Sequence, residues 1–299
     1  MLSILIPVFN FDVVPLVNNL VYQIDTMEST AEILVFDDGS SQEFKKLNRA
    51  LESISLVKYM ELPSNLGRSA IRNKLAEEAR YEYLLFLDCD VMPESDVFLK
   101  AYLDNLTRAS LLCGGLSYSP EAPEDESLFL HWFYGRNREV RSAAERQKAP
   151  YRMFLSSNFL IKKSVFQSVK FDEDFTGYGH EDTVFGIECL KQQVGIFHLE
   201  NPVIHLGLDP FEIFMEKRIH AVRGLDKLKA RIKEKRILEK HIRILAMEKR
   251  IKKIRLEGIV RRILSMAEPF FLRNLQGPSP NLNYFDLLRL RYLLRFGLD

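Results

Sequence analysis

Short apolar runs alternate with amphipathic segments along the first half of this chain. The apolar runs have the length and composition of buried strands, at residues 2–8, 32–37, 56–62, 83–88 and 110–117. Between them, apolar residues recur at helical spacing in residues 12–27, 42–53, 67–80 and 94–107. This alternation predicts an α/β fold in which helices cover both faces of a mostly parallel sheet.

The alternation is less regular after residue 120. Residues 121–150 are polar and contain the only tryptophan, Trp132, so we expect a functional loop there rather than part of the core. Two further strands are predicted on either side of a helix, the strands at 153–161 and 194–199 and the helix at 181–192.

The character of the sequence changes after Pro210, where it becomes basic and helix-forming up to a last predicted helix at residues 284–296. We therefore predict an α/β domain over residues 1–210 and a basic, amphipathic helical region over residues 211–299. Residues 215–299 carry 22 basic and 9 acidic side chains, although the net charge of the whole chain is only +1. This asymmetry predicts two regions that face different partners.

The composition is that of a globular protein, with 46% hydrophobic and 28% charged residues in 299. No uncharged run approaches the roughly 18 residues that span a bilayer. The first residues lack a basic segment and a small-residue cleavage site, so they are interpreted as a core strand rather than a signal peptide. The three cysteines are widely spaced, which indicates neither a disulfide framework nor a thiolate zinc site and predicts a reducing, cytoplasmic setting.

Apolar residues in the basic region recur at near-helical spacing among lysines and arginines: Leu228, Ile232, Leu238, Ile242, Leu245, Leu287, Leu288, Tyr292, Leu294 and Phe296. Basic amphipathic helices of this kind dock on anionic membrane surfaces, here at the inner face of the plasma membrane. The alternative is that they pack on the first domain or on a second copy, giving self-association. Nucleic acid is not favoured as a partner, because the aromatic residues do not form a spaced stacking series.

Acidic motifs follow the second and fourth predicted strands, at residues 37–40 (DDGS) and 88–90 (DCD). The carboxyl ends of parallel strands meet at one edge of a sheet, where ligands bind in α/β folds. Carboxylates gathered there repel one another unless a cation or a polar ligand is present. Asp88 and Asp90 lie on the same side of an extended segment, so they can share one hard cation.

Two further motifs suit a nucleotide. Phe9 follows the first strand, and together with Asp38 it can hold a planar base, unless the ring packs inside the protein. Gly67 opens a predicted helix whose amides, with Arg68 or Arg72, can face a phosphate. Arg72 is equally compatible with a solvated helix position.

Residues 177–182 (GYGHED) place two glycines and an aromatic residue at a helix start. An acid there, partly desolvated, can act as a general base, although acids in a first turn are also ordinary partners of the helix dipole. His205 ends another apolar run and is either a core residue or, near a carboxylate-bound metal, a ligand. His198 lies within a strand and is assigned to the core.

Taken in order, PVFN at residues 7–10, DDGS, NLGRSAIRN at 65–73, DCD and GYGHED form a series that resembles the family 2 glycosyltransferases, which have the GT-A fold. The resemblance covers residues 2–207. It implies transfer of a sugar, with inversion, from a nucleotide-sugar, usually a UDP-sugar, to a hydroxyl of a glycan or lipid-linked acceptor.

The resemblance also implies a role for each matched position. The nucleobase would be held by Pro7, Phe9 and Asp38, and the nucleotide would lie near Arg68 and Asp88. Asp90 would be the direct ligand of a divalent metal, Mn²⁺ or Mg²⁺, with Asp88 and His205 beside it. Asp182 would be the catalytic base and Glu181 would bind sugar hydroxyls. Tyr178, which replaces a frequent tryptophan, and Trp132 are candidate acceptor residues.

Two other classes of protein are compatible with parts of the sequence. A non-catalytic receiver-like domain also has acidic strand ends that bind magnesium, but it does not explain Asp182, His205 or the long second half. A nucleic-acid-binding protein would use the basic tail. The sequence does not identify the donor sugar, the acceptor or the oligomeric state.

Overall fold

The computed structural model describes residues 1–27, 30–175 and 179–296. The strands are β1 Leu2–Val8, β2 Ala31–Asp37, β3 Val57–Glu61, β4 Tyr83–Leu87, β5 Val91–Pro93, β6 Leu111–Cys113, β7 Leu116–Ser117, β8 Asn158–Lys162, β9 Ile196–His198 and β10 Val203–His205. The helices are α1 Val14–Asp25, α2 Gln42–Asn48, α3 Arg68–Glu78, α4 Phe98–Leu103, α5 Phe129–Tyr134, α6 Ala143–Gln147, α7 Lys163–Val169, α8 Glu181–Lys191, α9 Phe211–Arg231, α10 Lys235–His241, α11 Arg243–Lys253, α12 Glu257–Leu275 and α13 Leu282–Phe296.

Seven strands form one sheet in the order β3-β2-β1-β4-β8-β6-β9, and β5-β10-β7 form a second, smaller sheet. In the large sheet β1 runs parallel to both β2 and β4, and only β8 is antiparallel to its neighbours. The predicted α/β class with a mostly parallel sheet is therefore confirmed. The sheet order brings the carboxyl ends of β1, β2 and β4 to one edge.

The core of the large sheet is apolar on both faces, as the continuous hydrophobic runs predict. Every residue of β2 is buried. Phe86 of β4 stacks on Phe159 of β8, with ring centroids 4.7 Å apart, and on Phe166 of α7 at 5.0 Å. This packing holds the strand ends, and hence the polar loops that follow them, in fixed positions.

The predicted strand at residues 110–117 is instead two strands that belong to different sheets. β6 ends at Cys113, and β7 begins at Leu116 in the small sheet. Between them Gly115 has φ +95°, a left-handed conformation that favours glycine. The apolar pattern continues through this point because both strands are buried, so hydrophobicity alone did not reveal the break.

The expectation of a loop at residues 121–150 is wrong, because this segment contains α5, α6 and a π-helical turn, Gly135–Glu139. Ser142 and Glu145 form a reciprocal capping box that starts α6. Arg146 of α6 is buried and donates hydrogen bonds to the carbonyl oxygens of Cys113 and Gly114, at 3.1 and 3.0 Å. A polar residue of this segment, Arg146, therefore serves the interior.

The chain forms two compact units. The first contains residues 1–119, 139–174 and 181–207, and the second contains residues 120–138, 175–180 and 208–299. Segment 120–138 thus clusters with the C-terminal helices, although it lies far from them in sequence. The domain boundary that the sequence predicts at residue 210 stays a prediction.

In the second unit, aromatic residues pack α5, α9 and α13 together. Phe285 of α13 stacks on Phe214 of α9 at 5.9 Å and contacts Tyr134 of α5 at 5.1 Å. Most of the apolar residues predicted to dock on a membrane or a partner are buried, namely Leu228, Ile232, Leu238, Ile242, Leu245, Leu288 and Leu294. These side chains are covered within this chain, so they do not form an exposed docking face. Packing on the first domain or on a second copy stays a prediction. None of the described helices is long and apolar enough to cross a bilayer.

We expect Gly114→Ala to destabilise the first unit severely. A Cβ atom at this position would lie 2.3 Å from the Asn158 amide nitrogen and 2.4 Å from the Asn201 carbonyl oxygen. Overpacking of this kind costs about 1–3 kcal/mol or more, and thermal or urea unfolding measures it. Gly258→Ala, in α12 with open space around it, is the matched control and should stabilise the helix slightly. Equal stability of both variants would contradict the close approach.

Candidate active site

The loops after β1 and β2 are hydrogen-bonded to each other at the carboxyl edge of the sheet. The Asn10 amide donates to Ser40 Oγ at 2.8 Å, and Asn10 Oδ1 accepts from the Ser41 amide at 2.9 Å. Asn10 has φ +50°, a conformation that asparagine tolerates. Phe9, the preceding residue, is 51% exposed. The alternative in which this ring packs inside is therefore wrong.

The Asp38 carboxylate shapes the loop before α3. It accepts hydrogen bonds from the backbone amides of Leu66 (2.7 Å) and Gly67 (3.0 Å). Burial raises the pKa of Asp38, although these two amides act in the opposite direction. Asp38 thus links the β2 edge to the start of α3. A contact of Asp38 with a nucleobase stays a prediction.

Two arginines one helical turn apart on α3 connect the loop segments. Arg68 forms an ion pair with Glu181 at 3.0 Å, while Arg72 binds the Asp88 carboxylate. Arg72 is buried, and its guanidinium lies over the Phe171 ring at 5.4 Å. The alternative of a solvated position for Arg72 is therefore wrong.

Asp90 and His205 face each other although 115 positions separate them. β5 and β10 pair in antiparallel register, and the Leu206 amide donates to the Asp90 carbonyl oxygen at 2.8 Å. His205 Nε2 consequently lies 3.5 Å from Asp90 Oδ2. A Cβ on Gly207 would lie 2.4 Å from that same oxygen, so only glycine allows the chain to pass so close.

Each member of this pair favours the charged form of the other. Burial opposes ionisation of Asp90, but the neighbouring His205 ring and Arg68 outweigh it and lower the pKa of the carboxyl. Burial likewise opposes protonation of His205, but Asp90 outweighs it and raises the pKa of the ring. The pair is thus an electrostatically linked centre at the sheet edge.

One carboxylate and one imidazole suit a transition ion such as manganese. Within residues 1–27, 30–175 and 179–296, no three His, Cys, Asp or Glu side chains are arranged to hold a metal ion. The predicted ligand Asp88 is bound to Arg72. Asp90 and His205 therefore fit an ion that takes its remaining ligands from substrate phosphates and water.

Glu181 and Asp182 begin α8 in contrasting environments. Burial disfavours the Glu181 carboxylate, but Arg68 outweighs it, so the pKa of Glu181 is lowered. Burial and the charge of Glu181 raise the pKa of Asp182 to about 6. Asp182 Oδ1 is buried and has no hydrogen-bond partner among the described residues. One adjacent carboxylate is thus held ionised, while the other titrates near the pH at which a general base operates.

Tyr178 and Trp132 are the residues predicted for the acceptor, and His198 is the histidine assigned to the core. Tyr178 is outside the described residues. Trp132 belongs to α5 of the second unit, where its ring contacts Phe129 at 5.4 Å. His198 is buried, and burial lowers its pKa to about 4, which agrees with the predicted core position.

Sequence reasoning underestimated Arg72 and did not consider Ser156. Arg72 binds Asp88, and both Arg72 and Ser156 favour the ionised form of Asp182. The signal for Arg72 was its i,i+4 spacing from Arg68 on a helix that starts at the site edge. Ser156 carries no comparable signal, because it approaches Asp182 only through the packing of β8 and α8.

Comparison with protein families matches residues 3–169 to the glycosyl transferase family 2 model. The chain belongs to this family.

Relatives of known sequence include a chondroitin synthase of Escherichia coli, 26% identical over 192 residues, which are 54% of this chain and 28% of that protein. A hyaluronan synthase of Pasteurella multocida is 26% identical over 54% of this chain and 20% of its own length. An uncharacterized glycosyltransferase of Haemophilus influenzae is 24% identical over 69% of this chain and 80% of its own length. The chain thus spans less than a third of the two synthases.

Solved structures with the same fold include S. aureus TarS in complex with UDP-GlcNAc, with TM-score 0.52 and 16% identity over 75% of this chain and 66% of that one. A mannosyltransferase of Pyrobaculum calidifontis in complex with GDP-Man and Mn²⁺ has TM-score 0.52 and 14% identity over 75% and 61%. The predicted GT-A-like fold is confirmed.

Proposed function

We propose that this glycosyltransferase moves a hexose from a UDP-sugar to a hydroxyl of a glycan or lipid-linked acceptor, with inversion at the anomeric carbon. One observation carries the proposal: the first unit holds a half-buried carboxylate of raised pKa, Asp182, and the linked pair Asp90–His205. A base and a cation-binding centre are the two elements that a single displacement at a sugar diphosphate needs.

In this proposal the exposed ring of Phe9 stacks on the nucleobase, beside Pro7 and Asp38. Stacking on an aromatic side chain is worth about 1–3 kcal/mol per base. Arg68, whose side chain is 56% exposed, is placed near the diphosphate. The Asp88 carboxylate binds and orients Arg72, which lies one helical turn after Arg68 on α3.

Asp182 accepts the proton of the acceptor hydroxyl as that oxygen attacks the anomeric carbon, and Glu181, held by Arg68, receives hydrogen bonds from sugar hydroxyls. Asp90 and His205 would hold a divalent ion, Mn²⁺ or Mg²⁺. When bound, such an ion would neutralise charge that develops on the diphosphate leaving group. Because the acceptor oxygen attacks opposite the leaving group, a single displacement inverts the configuration.

The complexes of similar proteins support a nucleotide-sugar donor. TarS has been solved with UDP-GlcNAc, and the Pyrobaculum enzyme with GDP-Man and Mn²⁺. The similarity to chondroitin and hyaluronan synthases favours a glycan acceptor. Trp132 and Tyr178 stay candidates for the acceptor side.

We expect Phe9→Ala to weaken binding of UDP by roughly tenfold or more, because stacking on the ring is lost. Calorimetric titration with UDP and with GDP measures the affinity of each variant. A panel of UDP- and GDP-sugars, with and without Mn²⁺, identifies the donor through the nucleotide that is released. Leu47→Ala is the control, since Leu47 is also about half exposed, at 48%, and lies on α2. Labelling by acetyl phosphate without nucleotide binding would instead support the receiver-like alternative.

A further inference from the structure

The second unit exposes a continuous apolar stripe along α12. Its members are 58–77% exposed, namely Ile259, Ile263, Met266 and Phe270. Their spacing of four, three and four residues places them within about 60° of the helix circumference. The opposite side of α12 is buried, through Leu264, Phe271 and Leu275. The stripe is therefore a second apolar face of α12, and it stays exposed although the other apolar face packs on neighbouring elements.

The charges around the stripe are basic. Arg262 and Arg273 are exposed and project along one flank of it at helical spacing, and Arg255 is exposed in the turn just before α12. Among the described residues none of the three has a carboxylate partner. The acidic residue Glu268 is turned toward α13, where it binds Arg291 at 2.8 Å and Tyr292 at 2.8 Å. The outward face of α12 thus combines apolar and cationic side chains.

We propose that this face of α12 lies in the interface of an anionic lipid bilayer, with the four apolar side chains between the acyl chains and the three arginines at the headgroups. An apolar stripe flanked by arginine has the pattern of helices that lie in the plane of a membrane surface. Phe270 also contacts Tyr284 at 5.4 Å, which holds its ring in place at little entropic cost.

A second copy of the chain is a poorer occupant of this face. An antiparallel two-fold contact through the stripe would bring the arginine flanks of both copies to the same side. Four apolar side chains also fall well short of the roughly 20–30 residues per side in a stable protein interface. The charge of the flank matches an anionic surface instead. The inference does not rest on the proposed transfer reaction.

The test is co-sedimentation of the full chain with vesicles of equimolar phosphatidylglycerol and phosphatidylcholine, compared with phosphatidylcholine alone. The Ile263→Glu, Met266→Glu double variant should bind the anionic vesicles at least about tenfold less tightly, because it places charges in the apolar layer. Leu47→Glu, at an exposed leucine of the first unit, is the matched control and should bind like the wild type. Melting curves confirm that each variant is folded.

A second variant isolates the electrostatic part of the interaction. Arg255→Gln, Arg262→Gln and Arg273→Gln together should reduce anionic-vesicle binding by about tenfold or more and remove most of its salt dependence. Nucleotide-sugar turnover with a water-soluble acceptor and no vesicles should be the same for all these variants, so that a failed transfer reaction is recognised separately.

Three results would overturn the proposal. The first is a wild-type chain that stays in the supernatant with anionic vesicles at low salt. The second is equal binding by the double glutamate variant. The third is a dimer, seen by sedimentation velocity, that the glutamate variant dissociates while vesicle binding is unchanged, since this would assign the stripe to a second copy.

Discussion

Asp182→Asn should lower sugar transfer by about 10²–10⁴-fold while leaving donor binding near that of the wild type. Asparagine keeps the shape of the side chain but cannot accept the proton of the acceptor hydroxyl. In the wild type, kcat/KM should rise with pH through about 6 and then level off, because the pKa of Asp182 is raised to about 6 by burial and by Glu181. Initial rates against pH, with donor affinity measured in parallel, check both expectations.

The same substitution should stabilise the metal-free protein. The folded-state pKa of Asp182, about 6, lies above its ordinary value of 3.8, so ionisation costs stability as the pH rises through this interval. This loss of stability is complete above about pH 7 and is on the order of 3 kcal/mol. Asp182→Asn avoids it, and urea unfolding in the presence of a chelator should show a gain at pH 8 that disappears near pH 4.

Glu181→Gln is the matched control and should change stability in the opposite direction. The pKa of Glu181 is lowered, because Arg68 outweighs burial, so its contribution is present at neutral pH and is lost as the pH falls through the folded-state pKa. Two neighbouring carboxylates would then have opposite effects at pH 8. If Asp182→Asn destabilised the protein and left transfer intact, Asp182 would be a structural residue and the base would lie elsewhere.

Asp90→Asn should reduce metal-dependent turnover by at least about 10²-fold, because a cation at a developing diphosphate charge is worth several kcal/mol. It should also weaken binding of Mn²⁺ in the presence of UDP, which calorimetric titration measures without any turnover. His205→Gln should have a smaller effect and mainly raise the manganese concentration that half-maximal activity requires.

Asp104→Asn serves as the control for Asp90→Asn. Asp104 is an exposed carboxylate that pairs with Lys100 on α4, and its loss should leave manganese binding unchanged. Undiminished Mn²⁺ binding and turnover in a folded Asp90→Asn protein would contradict the assignment of Asp90. A large drop in melting temperature for His205→Gln with unchanged metal dependence would restore the core position for that histidine.

The strands of the large sheet were predictable because their signal is local. The predicted and observed limits of β1 are identical at Leu2–Val8, and those of β2 differ by one residue. A buried parallel strand must be apolar throughout, and the polar residues after it mark its end. The break at Gly114 and Gly115 escaped this reasoning, since apolar residues continue on both sides and only the change of sheet separates β6 from β7.

The helices within residues 121–150 were not predicted, for a different reason. The polarity of this segment predicts solvent exposure, but Arg146 is buried because backbone carbonyl oxygens accept hydrogen bonds from its guanidinium. Such acceptors are supplied by other segments of the chain. A pattern of side chains cannot show them.

By itself, the sequence determined which residues reach the carboxyl edge of the sheet, because strand ends follow from the length of each apolar run. It also determined that the C-terminal helices are amphipathic and basic. Only the tertiary structure decided which charges meet: Asp90 with His205, Arg72 with Asp88, and Arg68 with Glu181. These partners are 16 to 115 positions apart, so their pairing depends on strand order and helix placement. The tertiary structure likewise decided that Leu228 is covered while Met266 is exposed, because helical periodicity identifies an apolar face but not what packs against it.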